Sequence, residues 1–305
     1  MLFNKTLADF PRLDGETDDS PRIKRAIEEC TDQKLFIPDG VYEIAEPITI
    51  ANRCSLLFQA KAVWKAVKEM EFVLTYTRCG MHTQLIGGTI DGDGLASCFF
   101  IEGYCHFTLR DFNFNNGKTY GMRVHGGCEM IVNNIYLKCT KTGMEGNIAV
   151  SSIGGDSHYT DIVIVDYTVG MEMVGGETAG SNRLTRCHVW GGPVKNEKGE
   201  STYLENSVSF RMTGPDNLLR DCYSDTAVIG YEIGNNTRLI GCSYYNNPVF
   251  PLDNVVVIDH TAGWLLVSEG YFTQHTDHAL LYRGDNKNVV WSNNYIEGDD
   301  LRLPE

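Results

Sequence analysis

Hydrophobic and polar residues alternate in short runs along most of the chain, from about residue 50 onward. Such alternation is typical of a β-strand with one buried face, and the Gly, Asn and Asp residues between the runs are typical of turns. From LIGGTIDGDG at 85–94, the runs group into units of about 22 residues, a period in the range of solenoid repeats. Each unit contains a first strand, a turn, a second strand, and a third strand that ends in Asn, Asp or Gly. The pattern therefore predicts strand after strand with one repeating period.

The repeating unit predicts a solenoid in which each unit is one coil. Equivalent positions on neighbouring coils stack about 4.8 Å apart, the usual distance between paired strands. The repeat frame places small residues in one column: Cys187, Cys222, Cys242, Ser268 and Ser292. An aliphatic column lies beside it: Leu184, Leu219, Leu239, Leu265 and Val289. Because a β-sandwich or a propeller would not produce such columns, we predict an all-β fold, a single-stranded right-handed parallel β-helix.

Residues 14–49 predict a cap at the N-terminal end of this solenoid. The segment DGETDDSPRIKRAIEEC has acids before an amphipathic run formed by Ile23, Ala26, Ile27 and Cys30. That order is typical of a short helix, whose N-terminal dipole favours negative charge. Strands around a Pro-Asp-Gly turn follow in KLFIPDGVYEIAEPITI. A helix here would cover one open end of the core, as a solenoid requires.

We therefore predict a single domain over 1–305, with the cap segment at 14–49 and the coils at about 50–298. The last residues, 299–305, are expected to be a frayed terminus. An insertion, VKNEKGESTYLE at 194–205, interrupts one unit. Insertions in solenoids emerge as loops, often on the binding face. This loop is either a solvated surface loop or part of a site.

Composition and charge narrow the possible partners. The chain has 40 Asp and Glu residues against 26 Lys and Arg residues, a net charge of −14. Nucleic-acid binding needs the opposite balance, so no nucleic-acid partner is expected. No apolar run is long enough to span a membrane, and the N-terminus lacks the apolar core of a signal peptide. A cytoplasmic location follows as the expectation, with a secreted or virion-associated one as the alternative. The ten cysteines contain no close CxxC pair, which favours buried free thiols over a zinc site.

Two segments resemble a known family. The segment DGETDDSPRIKRAIEEC, with KLFIPDGVYEI after it, resembles the N-terminal capping segment of the pectin-lyase-like superfamily. LIGGTIDGDG resembles the segment that opens the helix in polygalacturonase-type glycoside hydrolases. The resemblance implies a parallel β-helix that acts on or binds carbohydrate, as hydrolase, lyase, epimerase, fructan transferase or phage tailspike. It also implies a possible homotrimer, in which a site may form between subunits. The Asn-Thr-Asp and Gly-His-Gly motifs of polygalacturonases are missing after Gly94, and the two Asp-Asp pairs, 18–19 and 299–300, lie in the cap and the tail. None of that family's catalytic residues is therefore carried over.

The first strand of each unit supplies the candidate site. Its side chains alternate between the core and the solvent, and its apolar residues set the frame. The outward set is predicted to be Phe100, Glu102, Arg123, His125, Ala149, Ser151, Glu172, Ser209, Arg211, Glu232, Asp259 and Arg283. This mixture of acids, arginines, a histidine and an aromatic ring is typical of a sugar-binding groove.

Glu172, Glu232 and Arg211 are the candidate catalytic residues. The two glutamates share one column two coils apart, which separates their backbones by about 9–10 Å. Carboxylates about 6.5–9.5 Å apart flank a water molecule in inverting glycosidases. Arg211, on the coil between them, would hold an acid or bind a sugar. The alternative is an exposed salt-bridge column of little energetic value.

Further residues are candidates for substrate binding. Arg123, His125 and Glu102 lie on the same predicted face. A second group lies in Gly-rich loops: Glu145, Asp156, His158, Asp161, Glu177 and Arg183. In that group Asp156 and Asp161 either project into a site or only stabilise turns. Trp190 either stacks on a sugar ring or packs against the protein.

These candidates lead to three functional hypotheses. The first is a carbohydrate-active enzyme that cleaves glycosidic bonds of a poly- or oligosaccharide with the carboxylate pair. The second is a polysaccharide lyase or an intramolecular fructan transferase. The third is a non-catalytic glycan-binding or tailspike-like structural protein. No metal or other cofactor is expected, except that a lyase would use Ca²⁺ and hold it with acids such as Asp156, Asp161 and Glu177.

Overall fold

The computed structural model describes residues 5–77, 82–103, 106–141, 144, 146–175, 180–191, 194–195, 201–202, 204, 206–247, 252, 254–273 and 280–297. In these residues the chain winds into a parallel β-solenoid of about nine turns. Each coil contributes strands to three flat faces, here called face 1, face 2 and face 3 in the order in which the chain passes through them. The prediction of an all-β parallel β-helix is confirmed.

Face 1 is formed by the first strand of each coil. In the described part of the chain it contains ten strands, all paired in parallel with their neighbours. They are Ile48–Ile50, Phe72–Thr77, Ser97–Glu102, Tyr120–Cys128, Ile148–Gly155, Val169–Met173, Val208–Met212, Ile229–Ile233, Val256–His260 and Leu280–Gly284.

Faces 2 and 3 form one continuous sheet around a corner. Three strands, Thr108–Asn115, Ile131–Lys138 and His158–Val165, run through both faces. The other strands of face 2 are Lys34–Ile37, Ser55–Phe58, Gln84–Ile86, Arg183–Thr185, Asn217–Arg220, Thr237–Ile240, Leu265–Ser268 and Val289–Ser292. Those of face 3 are Gly40–Ile44, Ala62–Ala66, Thr89–Asp91, His188–Trp190, Tyr223–Asp225, Ser243–Tyr245, Tyr271–Thr273 and Tyr295–Glu297. Lys5–Thr6 pairs with the first strand of face 2.

A single left-handed residue makes the corner between faces 2 and 3. In the three long strands these residues are Asp111, Asn134 and Asp161, with φ of 56°, 54° and 56°. Asn and Asp adopt this conformation more readily than other residues with a side chain, because their short polar groups bond locally. In these three coils one residue therefore bends the sheet within a continuous strand.

The predicted N-terminal cap is present. The α-helix spans Ser20–Glu28, and Ile23, Ala26, Ile27 and Cys30 are all buried within the common hydrophobic core. Short 3₁₀ turns occur at Leu7–Asp9 and Asn286–Asn288. No helix in the described ranges is long and apolar enough to cross a membrane.

The cysteine column is confirmed only in part. The amide N–H of Tyr223 donates to the Cys187 carbonyl and that of Ser243 to the Cys222 carbonyl, so Cys187, Cys222 and Cys242 are stacked. Ser268 pairs with Ile240 instead, which places Gly270 below Cys242. In the aliphatic column Leu239 pairs with Val267, and Val267 with Trp291. The predicted places of Ser268, Ser292, Leu265 and Val289 were therefore wrong by two residues. A shift of two preserves the alternation between core and solvent, so alternation could not reveal it.

Seven of the eight cysteines in the described residues are buried, and Cys128 is partly exposed. This agrees with the expectation of buried thiols.

Ala149 and Ser209 are a second correction, because both were predicted to face outward and both are fully buried. They lie at the start of face 1, level with Gly170, where the chain bends inward. A Cβ atom at Gly170 would lie 2.5 Å from the Ser209 carbonyl oxygen and 2.6 Å from a Val189 methyl group. The bend therefore turns these positions toward the core and restricts them to small residues.

Candidate functional site

One outward column on face 1 carries the three candidate catalytic residues and Arg123. Strand pairing places its members in register on successive coils. We call it the acid–arginine column; it comprises Arg123, Ser151, Glu172, Arg211, Glu232, Asp259 and Arg283. The sequence analysis predicted all seven on this face, and the structure places them in a single line.

Arg211 lies between the two candidate catalytic glutamates and contacts both. Its Nε donates to Glu232 Oε2 at 2.8 Å, and its Nη1 lies 3.5 Å from Glu172 Oε2. The hydroxyl of Ser151 donates to the other oxygen of Glu172 at 2.6 Å. The side chains of Glu172, Arg211 and Glu232 are 13%, 29% and 26% exposed. The three groups therefore form a half-buried network that a ligand can reach.

The column continues as a second ion pair toward the C-terminal end. Arg283 donates to both carboxylate oxygens of Asp259, at 2.9 Å from Nε and 2.5 Å from Nη2. This bidentate hydrogen bond raises the pKa of Arg283, and the nearby charge of Glu232 adds to the effect. Asp259 is buried, so the pair fixes one acceptor group at the floor of face 1.

Aromatic rings form the other end of face 1. The Arg123 guanidinium lies 5.0 Å from the ring centre of Tyr120 and 5.9 Å from that of Phe100. Phe72 stacks on both rings, with centroids 5.0 Å from Phe100 and 6.2 Å from Tyr120. A shallow groove of about 340 Å³ opens here and is lined by Met70, Glu71, Phe72, Ser97, Lys118, Thr119 and Tyr120. Phe72 and Tyr120 were not among the predicted site residues. Each is the first residue of its strand, where alternation does not show which way a side chain points.

His125 and Glu102 lie beside the column rather than in it. They pair with each other on adjacent coils at the far end of the face 1 strands, and both are exposed. They could contact a ligand that crosses the face but share no hydrogen bond with the acid–arginine column in the described residues.

The connections from face 3 to face 1 differ greatly in length. Those that lead to the strands of Glu172 and Glu232 span only 166–168 and 226–228. The connection that leads to the strand of Arg211 spans 191–207 and contains the predicted insertion. Its described strands, Val194–Lys195 and Ser201–Thr202, pair antiparallel. The insertion is thus attached to the coil at the centre of the candidate site.

Three of the predicted loop residues meet on face 2 instead. Asp156, His158 and Arg183 line a shallow groove of about 450 Å³ together with Glu129, Ile131 and Ser181. His158 and Arg183 are paired in register on adjacent coils. The predicted substrate-binding residues are therefore divided between faces and do not form one site. Glu145 and Glu177 lie outside the described residues.

Asp161 has the contacts of a turn residue. At its left-handed corner it accepts hydrogen bonds from Arg186 Nε at 2.6 Å and Nη2 at 2.8 Å, and from Asn133 at 3.2 Å. The Arg186 hydrogen bonds lower the pKa of Asp161. Of the two roles left open for Asp161, turn stabilisation is the one with contacts in the structure. Among the described residues, no group of three or more His, Cys, Asp and Glu side chains is placed to hold a metal ion.

Trp190 lies on face 3 and is 38% exposed. It pairs in register with Asp225 on the next coil, and His188 stacks on Tyr223 beside it at 4.6 Å. The sequence analysis missed Tyr223 and Asp225. The signal for them was alternation in the third strand of each unit, which places residues 188, 190, 223 and 225 outward.

The comparisons with known proteins show a shared fold at low identity. No family model matches the chain, and no curated protein matches it. A solved structure of the ORF18 protein of Geobacillus virus E2 is similar, with TM-score 0.70 and 14% identity over 95% of this chain. So is the tailspike of E. coli bacteriophage HK620 in complex with a pentasaccharide, with TM-score 0.70 and 9% identity over 98% of this chain. A mannuronan C-5 epimerase A-module of Azotobacter vinelandii gives TM-score 0.61 and 13% identity, with 97% of this chain and 94% of that module covered.

The chain spans 59% of the length of the Geobacillus virus protein and 64% of the tailspike. All three proteins share the coiled arrangement described above. The chain therefore shares the parallel β-helix fold of these structures.

Proposed function

We propose that this chain is a carbohydrate-active protein that binds a poly- or oligosaccharide along face 1. The acid–arginine column carries the proposal. It offers arginine donors and carboxylate acceptors in one line, at about the 4.8 Å spacing of the coils. Each sugar hydroxyl both donates and accepts hydrogen bonds. A line that mixes donors and acceptors suits a chain of sugars better than it suits an apolar or a uniformly charged ligand.

The charge of the column favours a neutral glycan. Three arginines and three acids balance one another, whereas the whole chain carries −14. A polyanionic glycan would meet no local excess of positive charge here and would be repelled by the rest of the surface. We therefore rank a neutral oligosaccharide above the uronate polymer that a lyase would need.

The fold neighbours add support of a general kind. The HK620 tailspike is described in complex with a pentasaccharide, and the Azotobacter vinelandii module is a mannuronan epimerase. Both indicate that this fold accommodates extended sugars on its surface, although fold alone does not determine function.

Cleavage of the bound glycan by Glu172 and Glu232 is the finer proposal. In an inverting mechanism one carboxyl protonates the leaving oxygen while the other activates water on the opposite side of the ring. The sugar would have to displace Arg211, whose guanidinium contacts both carboxylates. Displaced toward the solvent, Arg211 could then bind a sugar hydroxyl.

Non-catalytic binding is the second candidate, and the same contact favours it. Because Arg211 joins the two carboxylates, the arrangement resembles a charge-balanced binding surface more than an open catalytic pair. In that case the column only orients the glycan, as in a tailspike-like binding protein. A virion-associated location and a trimer belong to this proposal; light scattering of the purified chain would give three times the chain mass for a trimer.

A glycan panel with matched variants tests both candidates. Hydrolysis produces new reducing ends of inverted configuration, detected by colour assay and NMR, whereas a lyase produces an unsaturated product that absorbs ultraviolet light. We expect Glu172→Gln and Glu232→Gln each to slow hydrolysis about 100-fold or more, the range of general acid–base catalysis. Glu43→Gln is the control, since Glu43 is an exposed strand glutamate of face 3 in the first coil.

The outcomes separate the candidates. Full activity in both column variants excludes the catalytic pair. Binding without any product, weakened when Arg211 is changed to Met, supports the binding protein. A chain that binds and cleaves none of the glycans refutes the proposal as a whole.

A further inference from the structure

Face 3 carries an exposed aromatic platform that the proposed function does not use. Two of the four tryptophans, Trp190 and Trp264, are equally exposed at 38%. Trp264 on face 2 is already covered in part, because the Arg238 guanidinium lies 5.8 Å from its ring. In the part of the chain that the structure describes, no ring or cation is stacked on Trp190. At 38% exposure, part of the indole is open to the solvent in the described structure.

A fixed hydrogen-bond acceptor lies beside this platform. Asp225 pairs in register with Trp190, one coil away at about 4.8 Å. Its Oδ1 accepts a hydrogen bond from the Thr226 hydroxyl at 2.7 Å. Its Oδ2 lies 3.9 Å from His188 Nε2, too far for a hydrogen bond. The carboxylate is thus held in place by Thr226 and keeps acceptor capacity, with 18% of its side chain exposed.

Two rings support the carboxylate from the side. His188 stacks on Tyr223 with centroids 4.6 Å apart and ring planes 19° apart. Burial and the nearby charges of Asp225 and Tyr245 raise the pKa of Tyr223, and a hydrogen bond with Asp225 adds to the rise. The protonated phenol of Tyr223 therefore helps to hold the carboxylate in place. A flat apolar surface and a carboxylate acceptor hence lie within one coil spacing of each other.

This combination matches the two sides of a pyranose ring. The C–H face of a pyranose is apolar and packs on an aromatic face, while its equatorial hydroxyls point sideways to polar groups. A ring stacked on Trp190 would direct one edge to Asp225. An anionic sugar would bring its own carboxylate to Asp225 and be repelled. The cluster therefore fits a neutral unit.

We propose that Trp190 and Asp225 form a second sugar-binding site, on face 3, for one neutral pyranose unit. Its ligand class rests on the proposed function, but its residues do not overlap with the acid–arginine column. The site would hold a glycan, or a branch of one, on a face next to the column and so increase the avidity of the chain for a long or branched polymer.

The test uses the full chain on a printed array of neutral and uronate-containing oligosaccharides. The variants are Trp190→Ala, Asp225→Asn, Arg211→Met on face 1, and Trp264→Ala as the matched control. We expect Trp190→Ala to weaken binding of neutral glycans about tenfold, the loss of one good stacking contact. Asp225→Asn should weaken it several-fold, and Trp264→Ala should leave it unchanged. Melting temperatures of the variants confirm that each remains folded.

Fluorescence gives a readout that depends on Trp190 itself. Titration with the best neutral array glycan should quench the emission of the wild-type chain. Trp190→Phe should lose that quenching yet keep its affinity within about threefold, because phenylalanine still offers a ring face.

Each result decides between the two sites. Loss of binding in Trp190→Ala alone supports the face 3 site and refutes the face 1 site. Loss in Arg211→Met alone, with wild-type binding in Trp190→Ala, overturns the face 3 site and leaves the proposed function intact. A preference for uronate-containing glycans also overturns the face 3 site, and a wild-type chain that binds nothing on the array overturns both.

Discussion

Asp166 should make the stability of the chain fall as the pH rises, and replacing it by Asn should remove this effect. Asp166 lies in the short connection 166–168 between faces 3 and 1. Burial raises its pKa from 3.8 to about 6, and the charge of Lys138 opposes the rise. Its φ is 61°, a left-handed conformation that Asn also adopts readily. Asp166→Asn therefore removes the charge with little change in shape or backbone strain.

The sign follows from which state holds the proton. Below about pH 3 both the folded and the unfolded chain carry a protonated Asp166, so its charge costs nothing. Between about pH 3 and pH 6 the unfolded chain loses the proton first, and the free energy of unfolding decreases. A pKa rise of this size corresponds to about 3 kcal/mol in a dry site. Because solvent reaches the half-buried carboxyl, we expect a cost of about 1–2 kcal/mol.

The assay is thermal melting at pH 4 and pH 8 at one scan rate. At pH 8, Asp166→Asn should melt about 2–4 °C above the wild type, the shift expected from 1–2 kcal/mol in a large domain. At pH 4 the difference should shrink to about a fifth of that at pH 8, because most of the ionisation penalty develops above pH 4. Asp156→Asn is the control, since Asp156 has the same left-handed backbone, with φ of 52°, but is exposed.

An equal stabilisation at both pH values would mean that the variant acts through packing and not through charge. A lower melting temperature at pH 8 would mean that the carboxylate is favourable in the fold, and the reasoning from burial would be refuted.

Three further predictions concern the core. Tyr231→Phe should lower the free energy of unfolding in urea by about 1–2 kcal/mol, because the buried hydroxyl contacts the carbonyls of Ser243 at 2.7 Å and Cys222 at 3.0 Å; unchanged stability would contradict this. Gly170→Ala should lower the free energy of unfolding by more than about 2 kcal/mol, because the added Cβ would overlap the Ser209 carbonyl. Thermal melting measures the loss. A wild-type melting temperature would show that the bend can relax. Iodoacetamide should modify Cys128 before Cys222 and Cys242 in the native chain, as detected by mass spectrometry. Burial raises the pKa of the Cys222 and Cys242 thiols and blocks access to them. Equal labelling of all three would refute their burial.

The architecture was predictable because its signals are local and repeated. Alternation identified the strands, the helix pattern identified the cap around Ile23 and Ala26, and the repeat placed Glu172, Arg211 and Glu232 in one column. These conclusions need only the period and the side of each residue. Both follow from short-range hydrophobic patterning.

Register and bends were harder to predict. Asp259 pairs in register with Glu232, but the turn that follows, 261–264, is one residue longer than the turn 234–236 of the coil before. Ser268 and Leu265 lie after this turn and were placed two residues out of register, which left the alternation undisturbed. Ala149 and Ser209 alternate as outward residues, yet the bend at the start of face 1 turns them inward. Sequence patterns report the faces of a straight strand, so positions next to a bend escape them.

The candidate site was predictable only in part, because three faces look alike in sequence. His158 and Arg183 on face 2, Trp190 on face 3 and Arg211 on face 1 all follow the same alternation. Whether a face forms a groove depends on the conformation of the connections around it. The sequence gives the length of these connections but not their conformation. Asp225 is an example. Its position next to Trp190 becomes visible only when the two coils are stacked in register.

The stacking of coils also makes the resistance of the molecule to force depend on the direction of pulling. The hydrogen bonds between coils lie along the solenoid axis, so a force along that axis loads one coil at a time rather than a whole sheet at once. Each coil would release about 22 residues, or about 75 Å of extended chain, as it unwinds. Within the described coils, extension along the axis would therefore proceed in discrete steps of about this length, one coil after another.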